Sequence, residues 1–152
     1  MFSWLKKRVF AYPVNSKWVV MEGKHGENAM FVRRNISATE LAGSPEFRHR
    51  VGVAVPLNAP NELGLPDDSE AVQLNAIEDS LNLVLCSGQN ALQVLVITTS
   101  GMREFIYYTR EPKACPLAFD AVQAEARSHK LQAYVAEDPK GRLFAQFNGS
   151  AA

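Results

Sequence analysis

The chain predicts one α+β domain built on an antiparallel sheet, and three observations carry that expectation. Residues 92–99 are β-branched over most of their length and hold a single strongly polar side chain, Gln93, before the threonines, as a strand buried on both faces requires. Residues 102–109 follow at once, opening on Arg103-Glu104 and turning aromatic at Phe105, Tyr107 and Tyr108. Ser100-Gly101 joins the two runs, and a glycine that can take positive φ makes them a hairpin in the middle of a sheet. The second observation is a helix ahead of the hairpin, with Leu74, Ile77, Leu81 and then Val84 or Leu85 at steps of three and four. The third is the order of the central elements: strand, helix, strand, strand, helix, strand. With right-handed crossovers that order gives a ferredoxin-like sheet with two helices on one face and the other face open.

Composition sets the limits. A chain of 152 residues, 47% of them hydrophobic, supports one core and no second one of comparable size. Lys plus Arg and Asp plus Glu number 16 each, so no net field draws the chain onto nucleic acid or an acidic membrane. Cys86 and Cys115 stand far apart without CxxC spacing, which speaks against a zinc site or a secreted disulfide scaffold and for a reducing cytoplasm.

Residues 1–15 mix basic and bulky apolar side chains but contain no apolar run of the kind a secretory signal needs, and no stretch of the chain is long enough to span a bilayer. Phe2, Leu5 and Val9 fall at helical spacing opposite Lys6-Lys7-Arg8, yet one or two turns bury too little to anchor on a membrane. A short helix or disorder is expected there, with the domain itself over residues 16–148 and a disordered tail at 149–152.

Residues 17–22 and 29–33 read as two strands joined by the polar, glycine-bearing segment 23–28, a hairpin with a mobile tip that extends the sheet. Residues 39–42 suffice for one helical turn closed by Gly43. In residues 48–56, Val51, Val53 and Val55 alternate with small residues, a strand packed on one face and crowded by something close on the other. The Pro-, Asn- and Gly-bearing loop 57–66 leads to the first helix, where Asp67 or Asp68 serves as cap with Glu70 in capping-box position, and Ser87-Gly88 ends it. Pro116 opens a second helix whose buried face is marked by Phe119, Val122 and Ala126. Residues 131–135 form a strand, 138–141 a turn, and 143–147 a return strand that extends the sheet at its carboxy-terminal end.

The run from Thr98 to Phe105 with Tyr107-Tyr108, preceded by Gly64-Leu65-Pro66 and by Leu74 with Ile77-Glu78-Asp79, resembles the bacterial domain-of-unknown-function family 695. The likeness extends from about Trp18 to Phe147; Arg103-Glu104-Phe105 is its most specific part, and Arg33, Asn35 and Asp138-Pro139 support it. The family pattern places an aromatic shortly after the Asp-Pro pair, where this chain has Lys140-Gly141-Arg142, so a role resting on that aromatic does not carry over. Fusion of some relatives to a domain similar to the regulator of ribonuclease E activity implies regulatory binding, by association alone. The resemblance supplies no catalytic residue and implies no cofactor.

His25, His49 and His129 share no metal-ligand spacing with each other or with the cysteines. Ser100 lies in a hairpin turn without the G-x-S-x-G frame of a nucleophile elbow. Glu78 and Asp79, neighbours on a helix, point about 100° apart and cannot converge on one atom; one is expected at solvent, the other reaching Arg103 or a lysine. The candidate interaction surface is Arg33, Arg34, Arg103, Glu104 and Asp138, with exposed arginine beside aromatic rings as protein-binding patches favour. The expectation is a cytoplasmic, non-enzymatic module that binds a protein partner or a second copy through the sheet. The alternative is a small hydrolase or nucleic-acid-processing enzyme using Arg103, Glu104 and Asp138.

Overall fold

The computed structural model describes the backbone of residues 3–10 and all of residues 16–148. Seven strands form one antiparallel sheet: β1 (Ser3–Phe10), β2 (Ser16–His25), β3 (Asn28–Asn35), β4 (His49–Pro56), β5 (Ala91–Thr99), β6 (Met102–Thr109) and β7 (Gln132–Glu137), in the spatial order β1-β2-β3-β5-β6-β4-β7. Helix α1 (Asp68–Leu85) connects β4 to β5, α2 (Cys115–Glu125) connects β6 to β7, and a short α3 (Arg142–Gln146) closes the described chain.

The β5–β6 hairpin sits in the middle of the sheet and is buried as its composition demands. Ser100 and Gly101 both take positive φ, 53° and 77°, the two-residue turn whose twist matches the flanking strands. The turn is fastened from outside: Gly101 N–H donates to the Gly64 carbonyl at 3.0 Å and Leu57 N–H donates to the Gly101 carbonyl at 2.8 Å. A side chain at Gly64 would press on that turn's backbone. A bulge between Gln93 and Leu95 turns Val94 and Leu95 into the same core cluster, while Gln93 and Val96 face the other way.

Alternation along β6 divides the core in two. Phe105 and Tyr107 join Val51, Val53, Val55 and Val96 in a cluster with Leu74, Ile77, Leu81 and Leu85 of α1 and Ala118 and Val122 of α2. Ile106 and Tyr108 join Met21, Val32, Leu92, Ile97 and Phe144 of α3 in a second cluster, roofed also by Ala38 and Phe47. The sheet face that carries this second cluster, expected to be open, is therefore packed. Helix α1 is capped by Asp67, whose Oδ1 accepts from Glu70 N–H at 2.7 Å. Leu85 completes its buried stripe; Val84 is 40% exposed. Pro116 stands in the first turn of α2, where its missing N–H costs nothing, and Phe119 is only partly buried. Cys86 and Cys115 are buried in the cluster with α1 and α2 and form no disulfide among the described residues. Among the described residues no helix is long and apolar enough to cross a membrane.

Several elements differ from their sequence reading. Residues 3–10 form strand β1 against β2, with a bulge at Trp4/Lys6, and not a short helix; an unpaired edge on β2 offers that segment a ladder it cannot supply itself. The first hairpin is longer than read and turns on two residues, Gly26 and Glu27. The helical turn lies at Ile36–Ala38, capped by Asn35 Oδ1 accepting from Ser37 N–H at 3.0 Å. Residues 143–147 are not a return strand: Asp138 accepts from the Arg142 and Leu143 N–H groups at 2.9 and 3.2 Å and starts α3 instead. The crowding foreseen beside the β4 valines is the Tyr134 ring, which a β-carbon at Gly52 would overlap. Residues 149–152 lie outside the described residues.

Candidate functional site

A cleft of about 400 Å³ opens between α1 and the strands on the β2–β3 side of the sheet. Its walls are Val20 of β2, Phe31 and Arg33 of β3, Val96 and Thr98 of β5, Arg103 of β6, and Ala71 and Asn75 of α1. Antiparallel register brings these together: Val20 pairs with Arg33, Arg33 with Val96, and Thr98 with Arg103, so all five point to the same face.

The two arginines differ in their partners. Arg33 Nη2 donates to Glu78 Oε1 at 2.6 Å, and its guanidinium lies 5.9 Å from the Trp18 ring centre. Glu78 in turn anchors a buried polar chain. Its Oε2 accepts from Gln93 Nε2 at 2.9 Å, Gln93 Oε1 accepts from Asn82 Nδ2 at 3.3 Å, and Asn82 Oδ1 accepts from the Tyr107 hydroxyl at 2.7 Å. Arg103 is held by one contact, Nε donating to Thr98 Oγ1 at 2.8 Å, and forms no ion pair among the described residues. Burial lowers its pKa, the charge of Arg33 lowers it further, and the carboxylates of Glu78 and Glu70 only partly offset both. Arg103 is thus a cation held in a cleft without an ion-pair partner among the described residues.

The other candidate residues lie elsewhere. Arg34, one position on from Arg33, projects to the opposite face, where its guanidinium stacks 3.9 Å from the Phe144 ring centre, Nε has no hydrogen-bond partner among the described residues, and burial lowers its pKa. Glu104 also faces away from Arg103; burial raises its pKa and the charge of Arg50 draws it back. Asp138 is buried on that same opposite side, accepting from the Tyr108 hydroxyl at 2.6 Å and Arg50 Nη1 at 3.1 Å besides capping α3. Burial pushes its carboxyl up, but the Tyr108 hydroxyl, the Arg142 and Leu143 N–H groups and Arg50 together hold it below the ordinary carboxylate value. The five residues therefore do not share one surface: Arg33 and Arg103 are brought together, and the sheet separates them from the rest. The same separation keeps Arg103 from joining Glu104 and Asp138 in one reaction centre.

Glu70, read as a capping-box residue, and Asp138, read as a surface candidate, serve as structural fasteners. Burial raises the Glu70 carboxyl, but the Asn58 and Ala59 N–H groups and His129 bring it below its ordinary value. His129 Nε2 lies 2.6 Å from Glu70 Oε2 and Nδ1 lies 2.9 Å from Ser128 Oγ. The order hydroxyl, imidazole, carboxylate has the look of a nucleophile relay. The imidazole is 0% exposed, however, and Glu70 is spent on backbone donors at 2.6 and 3.3 Å, so the cluster ties loop 57–59 to the loop before β7. His49 stands 3.8 Å from Glu137. Among the described residues no three His, Cys, Asp or Glu side chains gather as metal ligands.

Asn75, Thr98, Phe31 and Val20 were not foreseen as cleft residues. The signal for Thr98 was present, because a two-residue turn at Ser100-Gly101 fixes Thr98 opposite Arg103. That for Asn75 was not, since its place depends on how α1 lies across the sheet.

Among known proteins, the model of a family of unknown function, DUF695, matches residues 16–148. No curated protein and no solved structure matches the chain.

Proposed function

The chain belongs to the DUF695 family, a family of unknown function, and we propose that it is a non-enzymatic binding or regulatory module that grips a protein partner at the cleft between α1 and the β2–β3 flank. We read the unit from β4 to β7, with strand order β5-β6-β4-β7 and two helical crossovers, as ferredoxin-like with both long helices on one face. Buried Cys86 and Cys115, which form no disulfide among the described residues, suit a reducing cytoplasm.

The observation that carries the reading is Arg103: a guanidinium held in place by Thr98, bordered by Phe31 and Val96, and lacking an acidic partner among the described residues. A folded domain gains nothing in stability from a half-buried, unpaired cation, whereas a complementary group on a partner makes it an anchor. The catalytic alternative needs Arg103, Glu104 and Asp138 in one place, and the sheet lies between the first and the other two.

A photo-crosslinking amino acid at Val72, 68% exposed on α1 beside Ala71, tests the reading in living cells. One dominant adduct, with another protein or a second copy, is expected, and Arg103→Ala should abolish it. A scatter of weak adducts, or a dominant one indifferent to Arg103→Ala, counts against the proposal.

A further inference from the structure

We propose that the cleft is a monocarboxylate site, binding a carboxylate on the Arg103 guanidinium with the apolar body of the same molecule against Val20, Phe31 and Val96. The inference deepens the binding-module reading, on which it rests, by naming the chemical group recognised.

Ion pairing around the cleft singles out the cation. Arg33 is paired with Glu78 at 2.6 Å, while Glu70 accepts from two backbone N–H groups and faces His129. Arg103 has no ion-pair partner among the described residues, so its guanidinium is the group a bound anion would meet. A phosphate, near −2 at neutral pH, would place its excess charge close to the carboxylates of Glu78 and Glu70, both of which act on Arg103.

Donor geometry gives the shape. Nε of Arg103 is occupied by Thr98 Oγ1 at 2.8 Å, which fixes the guanidinium plane and leaves the two Nη groups as a fork. Two parallel N–H donors match the two oxygens of a planar carboxylate. Asn75 supplies an amide on the α1 side. The remaining walls are hydrocarbon: the Val20 and Val96 methyls, the Phe31 ring and Ala71. A cleft of about 400 Å³ with one charged end and apolar walls suits a small acid or the end of a peptide, and it is at the lower end of the ~300–1,000 Å³ seen for ligand pockets.

The test titrates the intact protein with hexanoate, its neutral analogue hexanamide, and inorganic phosphate, following amide shifts by NMR. Hexanoate should bind saturably with shifts centred on Thr98 and Arg103, hexanamide at least about tenfold more weakly, and equimolar phosphate should not displace it. Arg103→Gln should weaken hexanoate at least about tenfold with an unchanged unfolding midpoint. Asn75→Trp, at an exposed helix position, should weaken it equally by filling the cleft while leaving Arg103 in place, and it decides the matter if Arg103→Gln unfolds. Equal affinity for acid and amide, displacement by phosphate, or wild-type binding by a folded Arg103→Gln overturns the assignment.

A leucine-ended tetrapeptide with free carboxylate, set against its carboxamide, identifies the source: tighter binding than hexanoate points to a partner's chain end, weaker binding to a free organic acid, and both uphold a carboxylate site. Carboxylate selectivity without a protein adduct at Val72 would retain this inference and remove the protein partner. An Arg103-dependent adduct without carboxylate selectivity would do the reverse.

Discussion

Arg33 on β3 and Glu78 on α1, 45 residues apart in the chain, meet at 2.6 Å and fix the width of the cleft. Every neutral donor behind Glu78, from the Tyr107 hydroxyl through Asn82 to Gln93, is turned toward its carboxylate, so one buried anion organises a polar seam between helix and sheet. The same contact consumes one of the cleft's two cations and leaves the other free.

Replacing Glu78 with Ala should therefore do more harm than an ordinary surface pair would suggest. It strands Arg33, leaves Gln93 Nε2 without its acceptor, and unlocks the chain to Tyr107. We expect a loss of about 2–4 kcal/mol, toward the lower end because the Arg33 side chain keeps 25% of its exposure. Urea unfolding of the variant measures it, and a change under about 0.5 kcal/mol would show the seam to be dispensable.

Leu81→Ala and Val84→Ala test which face of α1 is inward. Leu81 is 0% exposed in the helix-side cluster and should lose about 2–5 kcal/mol on truncation, while Val84, at 40% exposure, should change stability by about 1 kcal/mol or less. Comparable losses at both positions would mean that α1 is rotated from the orientation described.

Local signals in the sequence were strong enough for the β5–β6 hairpin, the α1 stripe and the valines of β4, because each is written in a period of two or three to four and in a turn residue. What escaped depended on partners distant in sequence. Residues 143–147 form a short apolar and aromatic run after a turn signal, as a strand would, yet the Asp138 carboxylate accepts from the N–H groups that open α3, and Tyr108 and Arg50 hold that carboxylate in place. Of Glu78 and Asp79, one was read as reaching Arg103 or a lysine; Glu78 instead pairs with Arg33, a choice made by strand order and invisible to periodicity. The candidate surface was half legible for the same reason: alternation separates Arg33 from Arg34 and Arg103 from Glu104, but only the sheet order puts Arg33 and Arg103 in one cleft.

The pH dependence of stability should carry two opposed contributions. Asp138 and Glu70 titrate in the folded state below their ordinary values of 3.8 and 4.5, so their stabilisation is present above those values and is lost as pH falls through the folded pKa. Glu104 is raised above 4.5, so it favours the folded state when protonated and loses that contribution as pH rises through its folded pKa. Asp138→Asn should accordingly flatten the fall in unfolding midpoint below about pH 4, and Glu104→Gln should raise the midpoint at neutral pH relative to wild type. Midpoints measured from pH 2 to 7 decide both, and a Glu104→Gln protein less stable at pH 7 would contradict the sign given for that residue.

Arg103→Met is the sharpest probe of a cleft held ready for a ligand. The substitution keeps much of the aliphatic stem in a cleft also lined by Phe31 and Val96 and removes a cation that burial and Arg33 both disfavour. The loss is a single hydrogen bond to Thr98, a net contribution of about 1 kcal/mol, and the gain is release from an unpaired, partly desolvated charge of at least similar size. The variant should therefore be as stable as the native protein or up to about 1 kcal/mol more so, a residue kept for binding at some cost to the fold. A loss of about 2 kcal/mol or more on urea unfolding would instead make Arg103 part of the structural framework and remove the argument that the cleft awaits an anion.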